Sequence, residues 1–324
     1  MKNALKKGWL KKLLALAATY GVVQLLISVG IVNDYLQATL ATICINMVLA
    51  VSLNLITGFT GQFSLGHAGF MSIGAYVCGI ITLGNPTLPG FLLGVLAGAV
   101  VAAVVGCLVG LPTLRLRGDY LAIATLGMSE IIRIVFLNLE VTNGAAGLNG
   151  IPQFINWTWL FIFTAGTILL IVNFLHSSHG RACISIREDE IAAEAMGINT
   201  TKYKVISFTI GAFFAGVAGA MYASYFYFLK PDLFGFLKSV DILVIVVLGG
   251  MGSISGSIIA AVLLALISTV LQSFPELRMV IYSLVLVVIM IFRPQGLMGS
   301  REISLSLFKK WSEGLRGRKQ KEVA

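Results

Sequence analysis

The chain has few charged residues. Only 11% of its 324 residues are Asp, Glu, Lys or Arg, whereas 57% are hydrophobic, and the mean hydropathy is +0.93. So little charge cannot cover an apolar core with a polar surface, which excludes a soluble globular domain. We therefore expect a polytopic membrane protein. Its spans must be helices, because lipid offers the backbone no hydrogen-bond partners.

Cysteine is also scarce, and its spacing points to no chemistry. The four cysteines show neither a disulfide framework nor the spacing of metal ligands. We expect them to pack as small apolar residues, and we expect no metal site in this chain. They are Cys44, Cys78, Cys107 and Cys183.

A nucleotide-binding loop is missing. No stretch matches the pattern GxxxxGK[ST], so the chain cannot bind ATP as a phosphate-loop enzyme, and we expect no catalytic residue and no cofactor bound by it. The lysine-rich N-terminus precedes an apolar stretch about twice as long as that of a signal peptide and lacks a cleavage site. It is interpreted as an uncleaved first span.

Long apolar stretches fill most of the sequence. We predict an all-α polytopic membrane protein with about ten transmembrane or membrane-entering helices, since about 20 apolar residues cross a bilayer. A single transmembrane domain covers 13–292, with a polar loop at 177–203, and is flanked by basic tails at 1–12 and 293–324. The predicted spans lie near 13–32, 35–56, 62–84, 90–114, 119–138, 157–176, 204–228, 241–250, 254–273 and 278–292.

The basic residues predict the topology. With cytoplasmic N- and C-termini, 19 of the 23 Lys and Arg residues fall on the cytoplasmic side, as the positive-inside rule requires. The eighth span, 241–250, is too short for an ordinary crossing, but without it the basic C-terminal tail would be external. The net charge of +9 therefore needs no nucleic acid to explain it. The basic tail is suited to anionic lipid headgroups.

Two glycine-broken segments interrupt the apolar stretches. They cover 54–69 and 249–257, and both carry Gly, Gly three residues on and Ser three residues further, which indicates an internal repeat. Broken helices at corresponding places in two halves are typical of a transport path. The alternatives are short cytoplasmic turns with closely packed glycines and, for the histidine, a structural role. The candidate path residues are Asn54, Thr57, Gln62, Ser64, His67, Ser253 and Ser255.

Small residues recur every four positions, as in Gly94/Gly98 and Gly211/Ala215/Gly219. Such spacing lets membrane helices approach closely, either within the chain or against a sister subunit. Glu130 and Arg133 lie three apart in the fifth span and can share a helix face. They are either a functional pair, as ionisable groups in membranes often are, or a structural pair near the outer surface.

The 177–203 loop predicts an exposed amphipathic helix over 184–198. Ile184, Ile191, Ala195 and Ile198 are spaced by seven, four and three residues, and charged residues occupy the remaining positions. Gly197 followed by Asn199 predicts the helix end. The acidic face disfavours anionic lipid, so a partner groove is preferred over the membrane surface, with an ordinary solvated helix as the alternative. We expect Ala193 and Gly197 to allow a close approach to that partner.

Several stretches carry a family resemblance. Residues 191–197 are similar to the Ala-Ala-three-residues-Gly coupling motif of ABC importer permeases, although Ile191 stands where a glutamate is usual, with Glu190 adjacent, and a later Leu-Pro is missing. The chain resembles LivM-type permeases of branched-chain amino-acid ABC importers. The similar stretches are 61–71, 116–127, 143–152, 186–198 and 293–296.

The resemblance implies a permease subunit in a prokaryotic inner or plasma membrane. It implies a related second permease, two cytoplasmic ATPase subunits that bind ATP and Mg, an extracytoplasmic binding protein, and leucine, isoleucine and valine as substrates. Urea or short amides are the alternative substrates, and an ion-coupled secondary transporter or a membrane scaffold is the alternative class. The implied ATPase-coupling residues are Arg187, Glu188, Asp189, Glu190, Ala192, Ala193, Glu194 and Gly197. The implied binding-protein contacts are Asn143, Gly144, Gly147, Asn149 and Gly150.

Overall fold

The computed structural model of the protein describes residues 18–30, 32–114, 116, 118–270, 280, 281, 284, 287, 291 and 296–299. Most of these residues are helical, and two two-residue strands, β1 Leu148–Asn149 and β2 Phe228–Leu229, pair antiparallel. The helices are α1 Ala18–Ser28, α2 Asp34–Thr57, α3 His67–Gly84, α4 Leu88–Thr113, α5 Asp119–Asn138, α6 Trp157–His176, α7 Ser178–Glu188, α8 Glu190–Ala195, α9 Thr200–Phe226, α10 Phe236–Gly249 and α11 Ile254–Val270.

Six helices, α2 to α6 and α9, are long and apolar enough to cross a membrane, which confirms a multi-pass membrane protein. Two of them begin away from the predicted positions. Helix α3 begins five residues later than predicted, because the backbone from Gly58 to Gly66 is not helical and Gly61 has a φ of +75°. Helix α9 begins earlier, at Thr200, where the Asn199 side chain accepts a hydrogen bond from the Lys202 amide.

The predicted eighth span is a short helix. Helix α10 has 14 residues, about 21 Å at the rise of an α-helix, which is short of a hydrocarbon core of about 30 Å. Strand β2 and a 3₁₀ turn, Pro231–Phe234, precede this helix. The short segment predicted at 241–250 is therefore part of α10, which begins five residues earlier, and a crossing there stays a prediction. The tenth predicted span and both basic tails lie largely outside the described residues.

The core of the bundle is built from helices that touch backbone to backbone. A methyl group on Gly98 would lie 2.7 Å from the carbonyl oxygen of Gly74 on α3, and one on Gly216 of α9 would lie 2.9 Å from Cα of Ala99 on α4. Real side chains do not fit at such distances, so α3, α4 and α9 pack closely only because these positions are glycine. The four-residue spacing of small residues is thus used within the chain.

The bundle has two distinct ends. One end carries α7, α8, both glycine-broken segments and residues 296–299, whose Leu297 and Met298 amides donate to the Leu248 and Gly249 carbonyls at 2.9 and 3.2 Å. The other end carries the β1/β2 pair. We call them the α7–α8 end and the β end. The described C-terminal residues therefore lie at the same end as the 177–203 loop.

Candidate functional site

The two glycine-broken segments meet at the α7–α8 end, in a contact that we call the glycine junction. A methyl group on Gly58 would collide with the backbone nitrogen of Gly252, so neither segment admits a side chain at this contact. Asn54 ties the segments together. Its Nδ2 donates to the Ser253 carbonyl at 2.9 Å and to Ser257 Oγ at 2.8 Å, and its Oδ1 accepts from the Gly252 amide at 2.8 Å.

The predicted path residues lie at or beside this junction, and most of them hold its backbone. Asn54 and Ser253 are fully buried. Thr57 donates to the Leu53 carbonyl, Ser64 accepts from the Gly66 amide, and the hydroxyls of Ser253 and Ser255 lie 3.2 Å apart. The structure thus gives these side chains a local structural partner, and their role in a path stays a prediction.

Two of the predicted path residues keep unused polar atoms. Gln62 is 2% exposed, and neither its amide nitrogen nor its amide oxygen has a partner within the described part of the chain. His67, at the start of α3, pairs through Nε2 with the Ser52 hydroxyl at 2.8 Å, while its Nδ1 has no partner there. Its burial favours the structural interpretation of His67. Gln62 therefore keeps more unused hydrogen-bonding capacity than His67.

The 177–203 loop forms two helices, so the prediction of one helix over 184–198 was wrong. Asp189 has an extended backbone (φ −158°, ψ 110°) and ends α7, and its carboxylate then accepts from the Ile191 and Ala192 amides at the start of α8. An Asp followed by Glu is a local signal for such a cap. The helix end at Gly197 is confirmed, with a φ of +84°.

The break changes which residues of the loop face outward. Ile191 and Met196 are 75% and 83% exposed, although Ile191 was placed on the apolar face. Ala193 is only 4% exposed, so its small side chain packs within this chain, and its role in a partner contact stays a prediction. Exposed carboxylates surround the two apolar side chains on this surface. They belong to Glu188, Asp189 and Glu194.

Two contacts fix the loop to the bundle. Lys204 Nζ donates to Glu190 Oε1 at 2.6 Å and joins α9 to α8. The Cys183 thiol lies on the buried side of α7, 3.8 Å from the Tyr203 carbonyl. Burial raises the pKa of this thiol to about 11, against the smaller opposing effect of a hydrogen bond with Thr60. The thiol is therefore protonated at neutral pH and unreactive.

Arg187, next to the end of α7, reaches both glycine-broken segments. A methyl group on Gly61 would lie 3.5 Å from its Cα and Cγ, and one on Gly252 would collide with its Nη1. No carboxylate within the described ranges pairs with this guanidinium. A cavity of about 270 Å³ opens beside it, with Glu188 and Lys204 in its lining. Sequence reasoning placed Arg187 on an outer face, and no local pattern indicates a contact with Gly252.

The predicted binding-protein loop lies at the β end. Asn143, Asn149 and Gly150 are exposed, and Gly144 is partly buried. Gly147 is buried, and a methyl group there would collide with the Leu229 carbonyl, so it packs within the chain and is not available to a partner. The backbone of the loop turns through left-handed conformations at Asn143, Gly144, Gly147 and Gly150.

The pair predicted in the fifth span is a cluster of three charges. Arg133 Nε donates to Glu130 Oε2 at 2.7 Å, and its Nη1 donates to Asp232 Oδ1 at 3.2 Å. Asp232 lies in the 3₁₀ turn before α10, 99 residues further along the chain, which no local pattern predicts. The three side chains are 25%, 31% and 63% exposed for Arg133, Glu130 and Asp232.

Comparison with known families gives residues 35–290 as a match to the branched-chain amino acid transport system permease component. The chain belongs to this permease family. It is 36% identical over 305 residues to the high-affinity branched-chain amino acid transport system permease protein LivM of Escherichia coli K12, covering 83% of this chain and 71% of that one. The LivM of Salmonella typhimurium is 35% identical over 298 residues, covering 81% and 70%.

A second group of relatives is more distant. The permease protein LivH of Escherichia coli K12 is 27% identical over 288 residues, covering 79% of this permease and 91% of its own length. Among solved structures, PsaBC from Streptococcus pneumoniae in complex with Fab aligns at a TM-score of 0.45 and 14% identity, covering 83% of this permease and 94% of that chain. The permease thus resembles two differently named permease proteins of branched-chain amino acid systems.

Proposed function

We propose that this chain is the membrane-spanning permease subunit of an ATP-driven ABC importer that carries leucine, isoleucine and valine into the cytoplasm. Family membership over residues 35–290 and the names of the LivM relatives support this substrate class. The sequence has no phosphate-binding loop, so ATP and Mg belong to separate ATPase subunits. The chain itself is not an enzyme.

Helices α7 and α8 are the surface that meets an ATPase subunit. Two large apolar side chains, Ile191 and Met196, project there from a rim of carboxylates, as an apolar anchor within a polar surround does at protein interfaces. The contact of Arg187 with the glycine junction is the observation that supports coupling between the ATPase and the membrane helices. Through Arg187, the helix that meets the ATPase touches both halves of the junction. A shift of α7 therefore reaches both segments directly.

The remaining partners follow from the two ends of the bundle. The α7–α8 end is cytoplasmic, in line with the positive-inside count, and it also carries residues 296–299. The β end is then external, and its exposed Asn143, Asn149 and Gly150 meet a substrate-loaded binding protein. A second permease, related to this chain as LivH is, completes the pore in a prokaryotic inner or plasma membrane.

Uptake into vesicles tests this function. Labelled leucine should enter vesicles only when the chain is combined with a second permease, the ATPase subunits, internal ATP and the binding protein. Accumulation by this chain alone, driven by a proton or sodium gradient without ATP, would instead establish a secondary transporter. Uptake of urea by the full assembly, with leucine ignored, would keep the ATP-driven mechanism and replace the substrate.

A further inference from the structure

The surface formed by α5, the 3₁₀ turn Pro231–Phe234 and α10 combines two features that hydrocarbon does not tolerate, and we call it the α5–α10 face. The first is non-helical backbone. Gly79, five residues or about 7 Å inside the end of α3, packs against Leu148 and Leu229 of the strand pair, at 3.2 and 3.3 Å from a methyl group placed on it. Phe234 also packs on Tyr76, so residues 227–235 run beside the candidate membrane span α3 without forming an α-helix.

The second feature is charge. Arg133 lies five residues inside the end of α5. Its side chain and those of its partners Glu130 and Asp232 are each at least one-quarter exposed. Lys230 Nζ lies 3.9 Å from Asp232. Irregular backbone and exposed ion pairs occur at this depth only where they are covered by protein or line water. Lipid therefore does not cover the α5–α10 face.

The composition of this face fits one kind of molecule. Within the cluster, the cations Arg133 and Lys230 balance the carboxylates Glu130 and Asp232. Exposed aliphatic side chains lie beside them: Ile134 is one turn from Glu130, and Leu233 is next to Asp232. A zwitterionic amino acid offers a carboxylate to the Arg133 guanidinium, an ammonium to Asp232 or Glu130, and an aliphatic group to the apolar neighbours. When the amino acid passes, ion pairs between protein and substrate replace the ion pairs within the protein, so no charge is left unpaired.

We propose that the α5–α10 face lines the water-filled translocation path, and that Glu130, Arg133 and Asp232 form a transit site for the ammonium and carboxylate groups of the amino acid. This inference rests on the proposed function for the identity of the substrate. It assigns the path to a different part of the chain from the glycine junction. The junction then controls the path while the triad contacts what moves through it.

Water access tests the path. Leu237 on this face and Leu96 on α4 are both large exposed leucines, at 59% and 61%, and α4 carries no charged residue, so Leu96→Cys is the matched apolar control. In the complete assembly, with the four native cysteines replaced, we expect a charged, membrane-impermeant thiol reagent to label Leu237→Cys about tenfold faster than Leu96→Cys, since only thiolate in water reacts. Equal, slow labelling of both would overturn the proposal.

Transport with substitutions tests the triad. Arg133→Gln should lower leucine uptake about tenfold, the equivalent of one lost charged contact, while ATP hydrolysis stimulated by the loaded binding protein persists. Arg133→Lys, which keeps the charge, should restore most of the uptake, and Glu140→Gln at an exposed site outside the cluster should leave it unchanged. Unchanged uptake in Arg133→Gln, or loss of assembly, would show a purely structural cluster and overturn the transit site. Failure of the unmodified assembly to carry leucine would instead refute the proposed function.

Discussion

A single amide, that of Asn54, uses three of its hydrogen-bonding positions to join segments that lie about 200 residues apart in sequence. Its oxygen and nitrogen face groups that are themselves buried, the Gly252 amide and the Ser253 carbonyl. Removal of the side chain would leave the Gly252 amide without its partner in a dry environment, where an unsatisfied group costs about 1–3 kcal/mol, whereas the Ser253 carbonyl keeps its hydrogen bonds from Ser257. Asn54 thus matters more for the glycine junction than its polarity suggests.

We expect Asn54→Ala to destabilise the protein by about 2 kcal/mol, because the buried Gly252 amide loses its partner and the hydrogen bonds to Ser253 and Ser257 are lost as well. The change is measured as a shift in the thermal unfolding midpoint of the purified protein. Unfolding is detected by the reaction of the Cys183 thiol, which becomes exposed. Asn138→Ala is the control, since Asn138 is exposed and makes one hydrogen bond to its own helix, to the Ile134 carbonyl. Equal shifts in the two variants would contradict a special role for Asn54.

Helix α7 connects a surface loop to the glycine junction through one residue near its C-terminal end. The contact depends on two glycines, because Gly61 accepts the Arg187 stem and Gly252 leaves room for its guanidinium. Both glycines also have positive φ, at +75° and +89°, so they accept backbone conformations that other residues adopt at a cost. A movement of α7 is therefore transmitted where the backbone is most adaptable.

Loss of this contact should uncouple hydrolysis from transport. We expect Arg187→Ala to lower the leucine carried per ATP hydrolysed about tenfold in the reconstituted assembly, since coupling free energies of a few kcal/mol are typical. Arg181→Ala on the same helix is the control, because Arg181 is exposed and its one side-chain hydrogen bond within the described residues goes to the nearby His176 carbonyl. An unchanged ratio of leucine to ATP would show that α7 transmits its movement by another route.

The sequence predicted the elements that depend on hydropathy and missed those that depend on distant contacts. Six long spans lie where apolar stretches and small-residue spacing indicate them. The break at Asp189 had a local cap signal that the apolar spacing of the loop outweighed. The inward orientation of Arg187 and the pairing of Arg133 with Asp232 had no such signal, because each is set by residues more than 60 positions away.

On the scale of the molecule, the fold separates its two kinds of surface. Charged helices and the glycine junction lie at one end, and the short strands and the glycine-rich loop lie at the other, about 30 Å away across the long helices. This difference between the two ends agrees with the predicted placement of most basic residues on one side of the membrane. Under the proposed function, the two ends meet different partners in different compartments.

Paired cysteines test this orientation. In a background without the four native cysteines, we expect an impermeant thiol reagent applied to intact cells to label Asn149→Cys at the β end and not Asn199→Cys at the α7–α8 end. Both positions are exposed, so access and not burial decides the result. Permeabilised cells provide the control, in which both should react. Labelling of Asn199→Cys alone in intact cells would reverse the topology.

The contact of residues 297 and 298 with the end of α10 has a consequence for biogenesis. The Leu248 and Gly249 carbonyls receive their hydrogen bonds from amides that the ribosome adds about 50 residues later. Gly250 likewise gains its contact with Gly296 late in synthesis. The two glycines are so close that a methyl group on Gly296 would lie 2.5 Å from the Cα of Gly250. The glycine junction therefore acquires its last neighbours only after the whole membrane domain has left the ribosome, so its closure follows insertion of every helix.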